Sequence, residues 1–429
     1  MGLNIDSTPF LNKKILVATS GGADSMVLLH LLHSLGIRVA AAHMNFNLRP
    51  KDCDQDQALV ESFCKEYGID FFTKSVDTKS FKKENKLSTQ MAARELRYTW
   101  FREMIEKQHF DCLATAHHLD DNIETLLINL LRGSGIEGVA GMEIFNHGIW
   151  RPLLKTTKKQ ILEYAVAHNI PWREDKSNAE NDYLRNHLRN VVLPKLEAKC
   201  PEYRFGFEKS INFLQQDEMI IDNHIQALKN KLLSQNTENS IFIKIKELSE
   251  LIPQDTYLFH LFKAYGFTAP QEIEKLIHAE NSAEIANENY RLIKDRKHLI
   301  LTKNQKIDFD AIYFLALNEE IHTPFSWKIT LDQIENSQNL ITFDADKVSF
   351  PLKLRKPQNG DFFYPAGMNG KKKLSKFFKD LKLNKLQKEQ TWVLTTANDE
   401  IMWVVGMRQD QRFTINKKTE LCLNLQKLD

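Results

Sequence analysis

Short unbroken apolar runs alternate with amphipathic stretches through the first half of the chain. Ile15-Leu16-Val17-Ala18 is a continuous apolar tetrapeptide, and Met26-Val27-Leu28-Leu29-His30-Leu31-Leu32 reads as a buried helix. Residues 38–46 (RVAAAHMNF) read as a second buried strand. Residues 54–67 then predict a helix, 70–76 a strand, 88–108 a long helix, 111–116 (DCLATA) a short strand and 120–131 a helix. Such alternation predicts an α/β architecture with parallel pairing, a doubly wound, mostly parallel sheet. In such a sheet ligands sit beyond the carboxyl ends of the strands. Ser20, His43 and His117 fall at or near those ends, so the pattern predicts that they line one crevice.

Past Pro201 the texture changes. Residues 205–233 have helical spacing with polar interruptions, and 290–301 (YRLIKDRKHLIL) predict a hairpin turning at Asp295-Arg296 without a glycine. Residues 307–343 are mixed, with short aromatic-rich strand candidates, and 350–429 read as a compact α/β module. No internal repeat or low-complexity tract interrupts the chain. A chain of 429 residues exceeds one typical core. The expected organisation is a sheet-bearing catalytic domain over 1–205 and a mostly helical middle domain over 206–305. Linker strands and a small, basic α/β C-terminal domain follow over 306–429.

Bulk composition narrows the class. Hydrophobic residues at 42% and charged residues at 27% are ordinary for a soluble protein. The formal net charge is only +2, so binding to nucleic acid must come from a local basic surface. Cys53, Cys64, Cys112, Cys200 and Cys422 are scattered, with no CxxC pair. That argues against a zinc ribbon, an iron–sulfur cluster or a disulfide scaffold, and a reduced cytoplasmic setting fits best. Residues 1–14 lack a signal-peptide apolar stretch, and Asp6 stands where myristoylation of Gly2 requires Ser or Thr. No apolar run is long enough to cross a membrane, so no membrane partner is expected. Oligomeric state is left open, a homodimer included.

The strand–turn–helix over residues 15–32 carries the first chemical signal. Ser20-Gly21-Gly22-Ala23-Asp24-Ser25 places backbone N–H groups and a positive helix end at one spot, which suits a phosphate. The glycines allow close approach, Ser20 and Ser25 add hydroxyls, and Asp24 can hold a magnesium ion against the phosphates. Asp24 occupies the place of the Walker lysine, so this is not a Walker loop. The plainer alternative is a strand-to-helix turn capped by serine.

A second signal closes the strand over 111–116. His117-His118-Leu119-Asp120-Asp121-Asn122-Ile123-Glu124-Thr125 sets Asp121 and Glu124 three apart, on one helix face. Helix capping explains either aspartate alone. It does not explain two histidines, two aspartates and a glutamate together. Such an acidic mouth suits a cation, either a metal ion or an ammonium group.

Three basic groups complete the inventory. On the helix over 88–108, Met91, Tyr98, Phe101 and Ile105 form the expected core stripe, with Arg94 pointing into it and Arg97 at its border. Either arginine needs an anionic partner, Glu95, a sheet carboxylate or a phosphate. Arg185 and Arg189 share a face one turn apart, suited to phosphate, or to an ion pair with Asp182 on a solvated face. Lys371, Lys372, Lys373, Lys376 and Lys379 surround Phe377 and Phe378, and Lys382, Lys385 and Lys388 continue the run. A one-signed helix with aromatic residues can lie along a nucleic-acid backbone, although most charge runs are solvated faces.

Together these residues resemble the tRNA(Ile)-lysidine synthetases, a branch of the N-type ATP pyrophosphatases. The family's nucleotide motif is matched at residues 20–25 and its HHxDDxxET element at 117–125, followed by Leu130-Leu131-Arg132-Gly133-Ser134-Gly135. Its Arg-Pro-Leu-Leu element stands at 151–154, Glu-Asp-x-Ser-Asn at 174–178 and Arg-Asn-x-x-Arg at 185–189. The C-terminal module resembles the family's tRNA-binding end through Gly360-Asp361, Lys373-Leu374 and Val404-Val405-Gly406. The chain departs from the family at Phe46-Asn47-Leu48-Arg49, where many relatives have His-Gly-Leu-Arg, and at 385–389, where lysines stand in the family's arginine-rich segment.

The resemblance implies a two-step reaction. ATP adenylates the carbonyl oxygen of the wobble cytidine in the CAU anticodon of tRNA(Ile), releasing pyrophosphate. Free L-lysine then attacks that ring carbon and displaces AMP. Ser20, Gly21, Gly22, Ala23, Asp24 and Ser25 would bind the nucleotide with His43, and Asp24 would carry Mg²⁺. Asp121 and Glu124 would hold the lysine, His117 would assist proton removal, and Arg97 would neutralise phosphate charge. Arg185, Arg189, Lys372, Lys373 and Lys376 would contact the tRNA. Rival readings are a tRNA 2-thiolating enzyme of the same superfamily, which would normally need paired cysteines, and an RNA-binding protein with a relic nucleotide fold. A third is a metal-dependent phosphohydrolase using His117, His118, Asp120 and Asp121.

Overall fold

A computed structural model describes residues 3, 5–47, 50–174, 184–233, 235–237, 240–305, 308–317, 320–321, 326–332 and 340–427. Leu48, Arg49, residues 175–178 of the Glu-Asp-x-Ser-Asn element and Asp182 lie outside them. The chain divides into two compact units, Met1–Asn223 and His224–Asp429. Among the described residues no helix is long and apolar enough to cross a membrane.

The first unit begins with β1 (Lys14–Ala18), α1 (Ala23–Ser34), β2 (Arg38–Asn45), α2 (Pro50–Tyr67) and β3 (Asp70–Ser75). It continues with α3 (Thr78–Asn85), α4 (Thr89–Gln108), β4 (Cys112–Ala114), α5 (Leu119–Leu131) and α6 (Ile136–Val139). Then come β5 (Phe145–Asn146), β6 (Ile149–Trp150) and α7 (Lys158–Ala167). The strands form one sheet in the order β3-β2-β1-β4-β6-β5, parallel throughout except for the edge strand β5. The chain winds outward from β1 through β2 to β3, then crosses back to lay β4 on β1's other side. That reversal is the switch point at which such sheets open a crevice.

Side chains of β1 alternate between two cores. Ile15 and Val17 pack with α1, with Val60 and Phe63 of α2, and with Ile161 and Tyr164 of α7. Leu16 packs the other way, with Trp100 and Phe101 of α4. Helix α1 is apolar nearly all round, and Met26, Val27, Leu28, Leu29 and Leu32 have no exposed surface, as expected of a helix sunk against a sheet.

Helix α4 departs from the expected stripe. Ala92, Ala93, Trp100 and Phe101 are its buried residues, Met91 is 58% exposed, and Arg94 faces outward. The small alanines let α4 approach the sheet, and that rotates the wheel away from Met91. Helix α3 has no counterpart in the sequence reading. Asp77 opens it by accepting from the N–H groups of Lys79 and Ser80, an N-cap that offsets the scarcity of apolar residues.

The first unit ends in α8 (Leu184–His187), a π-helical turn over Leu188–Val192, α9 (Leu193–Lys199) and α10 (Tyr203–Leu232), whose last residues belong to the second unit. In the second unit the expected helices are joined by more sheet than the pattern suggested. Five antiparallel strands run in the order Gln235–Thr237, Ser240–Lys244, His298–Lys303, Tyr290–Asp295, Glu284–Ala286. Gln254–Phe262 and Pro270–His278 pack on this sheet through Leu258, Leu261, Ile273 and Leu276. The predicted hairpin is present, closing at Asp295 opposite His298, and Arg296 takes the left-handed turn position at φ +43°. The C-terminal part holds a five-stranded and a four-stranded antiparallel sheet with two short helices, Leu374–Asp380 and Lys385–Gln390.

Candidate active site

The turn between β1 and α1 is held by its own hydroxyls. Ser20 N donates to Ser25 Oγ at 3.1 Å, Gly22 N to Ser20 Oγ at 3.3 Å, and Ser25 Oγ to the Gly22 carbonyl at 3.0 Å. Gly21 adopts φ +86°, and a Cβ placed there would meet Asp56 at 3.4 Å. Behind the turn, Arg173 N donates to the Gly21 carbonyl at 3.0 Å while its Nε bonds Asp56 at 2.7 Å. The result is a tight loop whose N–H groups open toward α1's positive end, the geometry of an anion cradle. His43 lies buried beside it, with Nδ1 3.0 Å from the Thr19 carbonyl, and burial lowers its imidazole below the ordinary value.

The HHxDDxxET segment faces this cradle across the switch point. His118 caps α5: its Nδ1 accepts from Asp121 N at 3.3 Å, and Asp121 Oδ2 accepts from His118 N at 3.2 Å. That leaves Nε2 lying 3.4 Å from Asp121 Oδ2 and 3.9 Å from Asp24 Oδ1. One buried imidazole thus bridges the phosphate loop and the acidic mouth. These reciprocal bonds form a capping box and separate His118 from His117, which the spacing alone does not, since Asp120 stands three residues after His117 as well.

His117 Nδ1 sits 2.9 Å from Thr115 Oγ1. Burial, together with nearby Arg151, Arg185 and Arg94, outweighs Asp121 and brings its imidazole down to about 4. It is therefore neutral at pH 7 and able to accept a proton.

The acidic pair is not open. Glu124 has no exposed surface. Arg189 grips it with two bonds, Nε to Oε1 at 2.7 Å and Nη2 to Oε2 at 2.9 Å, and Nη2 also reaches Asp121 Oδ1 at 2.8 Å. Arg185 adds a contact to Glu124 Oε2 at 3.4 Å and bonds Thr125 Oγ1 at 2.6 Å. Burial raises the Glu124 carboxyl, and Arg189 only partly offsets it. Burial also acts to raise Asp121, but His118, Arg189 and His117 outweigh it and hold that carboxyl below its ordinary range. The two arginines singled out for phosphate thus face carboxylates in this structure.

Further groups were not foreseen. Lys158, first residue of α7, bonds Asp24 Oδ1 at 2.6 Å. Its backbone N donates to Asp120 Oδ2 at 2.8 Å, while Arg204 Nε donates to Asp120 Oδ1 at 2.7 Å. Asp120 thus engages both oxygens in structural bonds, which weakens it as a ligand in the phosphohydrolase reading. A recess of about 180 Å³ lies against Glu124, Lys158 and Arg189, with Tyr203 in its wall. That is roughly the volume of six waters. The Tyr203 hydroxyl is buried without a hydrogen-bond partner among the described residues, and burial brings it up to about 12. A Thr157–Gln160 capping box marks the start of α7 and could have flagged Lys158. Arg97 lies over the Phe46 ring, 5.1 Å from its centroid, and Arg94 over Tyr98 at 5.0 Å.

In the second unit the lysine run splits by role. Lys373, Lys376 and Lys379 are exposed, whereas Lys372 bonds Asp380 at 2.8 Å and Lys385 bonds Glu284 at 3.0 Å. Phe377 and Phe378 are core residues. The aromatic residues expected to face nucleic acid are thus turned inward, because the helix Leu374–Asp380 must bury its one apolar face.

Comparison with known proteins adds to this geometry. Residues 4–196 match a family described as a PP-loop domain, 235–304 a TilS substrate binding domain, and 352–425 a TilS substrate C-terminal domain. The chain is 37% identical to a tRNA(Ile)-lysidine synthase of Parabacteroides distasonis, covering 96% of this chain and 95% of that one. It is 34% identical to the protein of that name in Bacteroides thetaiotaomicron, covering 95% and 93%. It is 32% identical to the one in Bacillus subtilis, covering 93% and 92%. Likeness of this extent, along nearly the whole of both chains, means that the protein belongs to the tRNA(Ile)-lysidine synthase family.

Proposed function

We propose that the protein ligates free L-lysine to the wobble cytidine of CAU-anticodon tRNA(Ile), consuming ATP and releasing AMP and pyrophosphate. The observation that carries this reading is His118, which lies within 4 Å of both Asp24 and Asp121 and so joins a phosphate cradle to a cation site. ATP enters with its phosphates on residues 20–25. The cytidine carbonyl oxygen attacks the α-phosphorus, and pyrophosphate departs. An amino group of lysine then adds to the ring carbon, AMP leaves with the former carbonyl oxygen, and the nitrogen gives up its proton.

Each residue has a task in that sequence. Asp24, a single carboxylate in the phosphate loop, would hold a magnesium ion, which would supply charge neutralisation on the triphosphate. Lys158 holds Asp24 in place until then. Lysine has two amines, and one must be neutral to attack while the other stays an ammonium. The ammonium seats on Asp121 and Glu124, exchanging with the Arg189 guanidinium that now fills the pair. Neutral His117 takes the proton from the attacking amine. Arg97 and the arginines around His117 stabilise the charge that builds on the phosphates. The cytidine must be splayed out of the anticodon loop to reach the crevice.

The direct test is incubation with CAU-anticodon tRNA, ATP and lysine, followed by mass analysis of the anticodon-loop nucleosides. The expected product is a cytidine heavier by lysine minus water, with AMP formed one for one. Equal ATP turnover without lysine would reject the reading.

A further inference from the structure

Helix α3 carries a basic face that plays no part in the site described above. Lys79, Lys82 and Lys83 stand at i, i+3 and i+4, the spacing of one helix face, Lys86 follows at the left-handed C-cap, and all four are exposed. With Thr78, Leu87 and Thr89 they line an open cleft of about 620 Å³ between α3 and the start of α4. Among the described residues no carboxylate lines that cleft. The neighbouring acids are engaged or averted. Asp77 spends its oxygens on Lys79 N, Ser80 N and Ser80 Oγ, and Glu84 falls on the opposite side of the helix by its spacing. Lys82 Nζ donates to Thr89 Oγ1 at 3.0 Å, which lays that side chain along the cleft without neutralising it.

Four like charges at these spacings repel one another. A single small anion would relieve one or two of them. Engaging all four takes a polyanion that runs along roughly 10 Å of helix. Two surfaces offer that, a nucleic-acid backbone and an anionic membrane. A helix that lies on a membrane needs an apolar face to insert. Here Phe81 and Leu87 are half-buried, and among residues 74–97 Met91 is the one exposed large apolar side chain, too little for a face that inserts.

We propose that the lysine face of α3 is a docking surface for the sugar–phosphate backbone of the tRNA substrate, a contact made by the first unit itself. The proposal rests on the function given above. The test is the full-length Lys79→Gln/Lys83→Gln/Lys86→Gln variant, which leaves Lys82 and its Thr89 bond intact. Affinity for CAU-anticodon tRNA is measured by fluorescence anisotropy from about 50 to 300 mM KCl. Releasing two to three phosphates should flatten the slope of log affinity against log salt by roughly two to three. Affinity at low salt should fall at least about tenfold, and the KM for tRNA should rise while those for ATP and lysine hold. Restoring charge with arginine at the same three positions should restore the slope, which separates docking from a folding defect. An unchanged slope overturns the proposal. Wild-type protein that neither binds nor modifies this tRNA would instead sink the function on which it rests.

Discussion

Glu124 and Arg189 set the energetics of the site at the scale of single residues. A carboxylate with no exposed surface is tolerable only while its guanidinium stays. Arg189→Ala should cost about 3 kcal/mol of stability in urea melts, the low end for a broken buried pair because Arg185 remains nearby. The sign of its pH dependence follows from the Glu124 shift. Burial raises this carboxyl in the folded state. Its contribution is therefore full below the unfolded value and lost as pH rises through the folded one. Removing Arg189 raises it further, so the variant's deficit should be smaller near pH 5 than at pH 8, and a deficit independent of pH would contradict this. His117 gives the opposite shift. At about 4 its imidazole stays neutral down to mildly acidic pH. The acid limb of kcat that it controls should lie well below the usual histidine range, and His117→Ala should lower kcat by roughly 10²–10⁴. A wild-type limb near pH 6.5 would remove His117 as the base. Asp24→Ala should abolish AMP formation while tRNA affinity, read by anisotropy, is retained. Wild-type turnover in that variant would end Asp24's role.

At the scale of elements, what could be read in advance follows how apolar each segment is. The β1–turn–α1 unit was legible because both flanks are apolar and the seven residues between them, Thr19 to Ser25, are all small or polar. Its conformation makes a prediction: Gly21→Ala places a side chain at φ +86° against Asp56. The left-handed strain costs about 1–2 kcal/mol, and the shifted loop should raise the KM for ATP while leaving that for lysine unchanged. Helix α5 was legible for a different reason, since its acidic first turn and paired histidines mark both a cap and a function. Helix α3 was not, because capping by Asp77 and contact with α4 hold it, with little apolar stripe to read. The face of α4 was misread because the wheel was drawn through large side chains, whereas Ala92 and Ala93 govern the packing. The pairing of Arg185 and Arg189 with Glu124 is a long-range contact from another helix. No local spacing announces it, so sequence alone left phosphate as the natural partner.

At the scale of the whole molecule, a net charge of +2 says nothing about where cations gather. They gather in separate places, and the second unit shows how to test one of them without breaking its fold. Truncation after about residue 345 is a poor test, because the last strand, Cys422–Lys427, lies between Trp327–Asp332 and Leu340–Asp344 and pairs with both. Cutting there strips two strands of their partner and exposes sheet edges. Substitution on the helix Leu374–Asp380 is cleaner. Lys373, Lys376 and Lys379 project outward while Leu374, Phe377 and Phe378 hold the core. Reversing these three lysines to glutamate should leave the melt within about 1 kcal/mol, as expected of surface charges. If this helix docks tRNA, affinity should fall steeply at low salt and the salt slope should flatten by roughly 0.9 for each phosphate no longer engaged. Lys372→Gln is the internal control. Its ammonium is committed to Asp380 over the Phe377 ring, so it should shift stability slightly and tRNA affinity hardly at all. Equal losses of tRNA affinity from Lys372→Gln and from the triple reversal would mean that the module answers to its own stability rather than to phosphate binding.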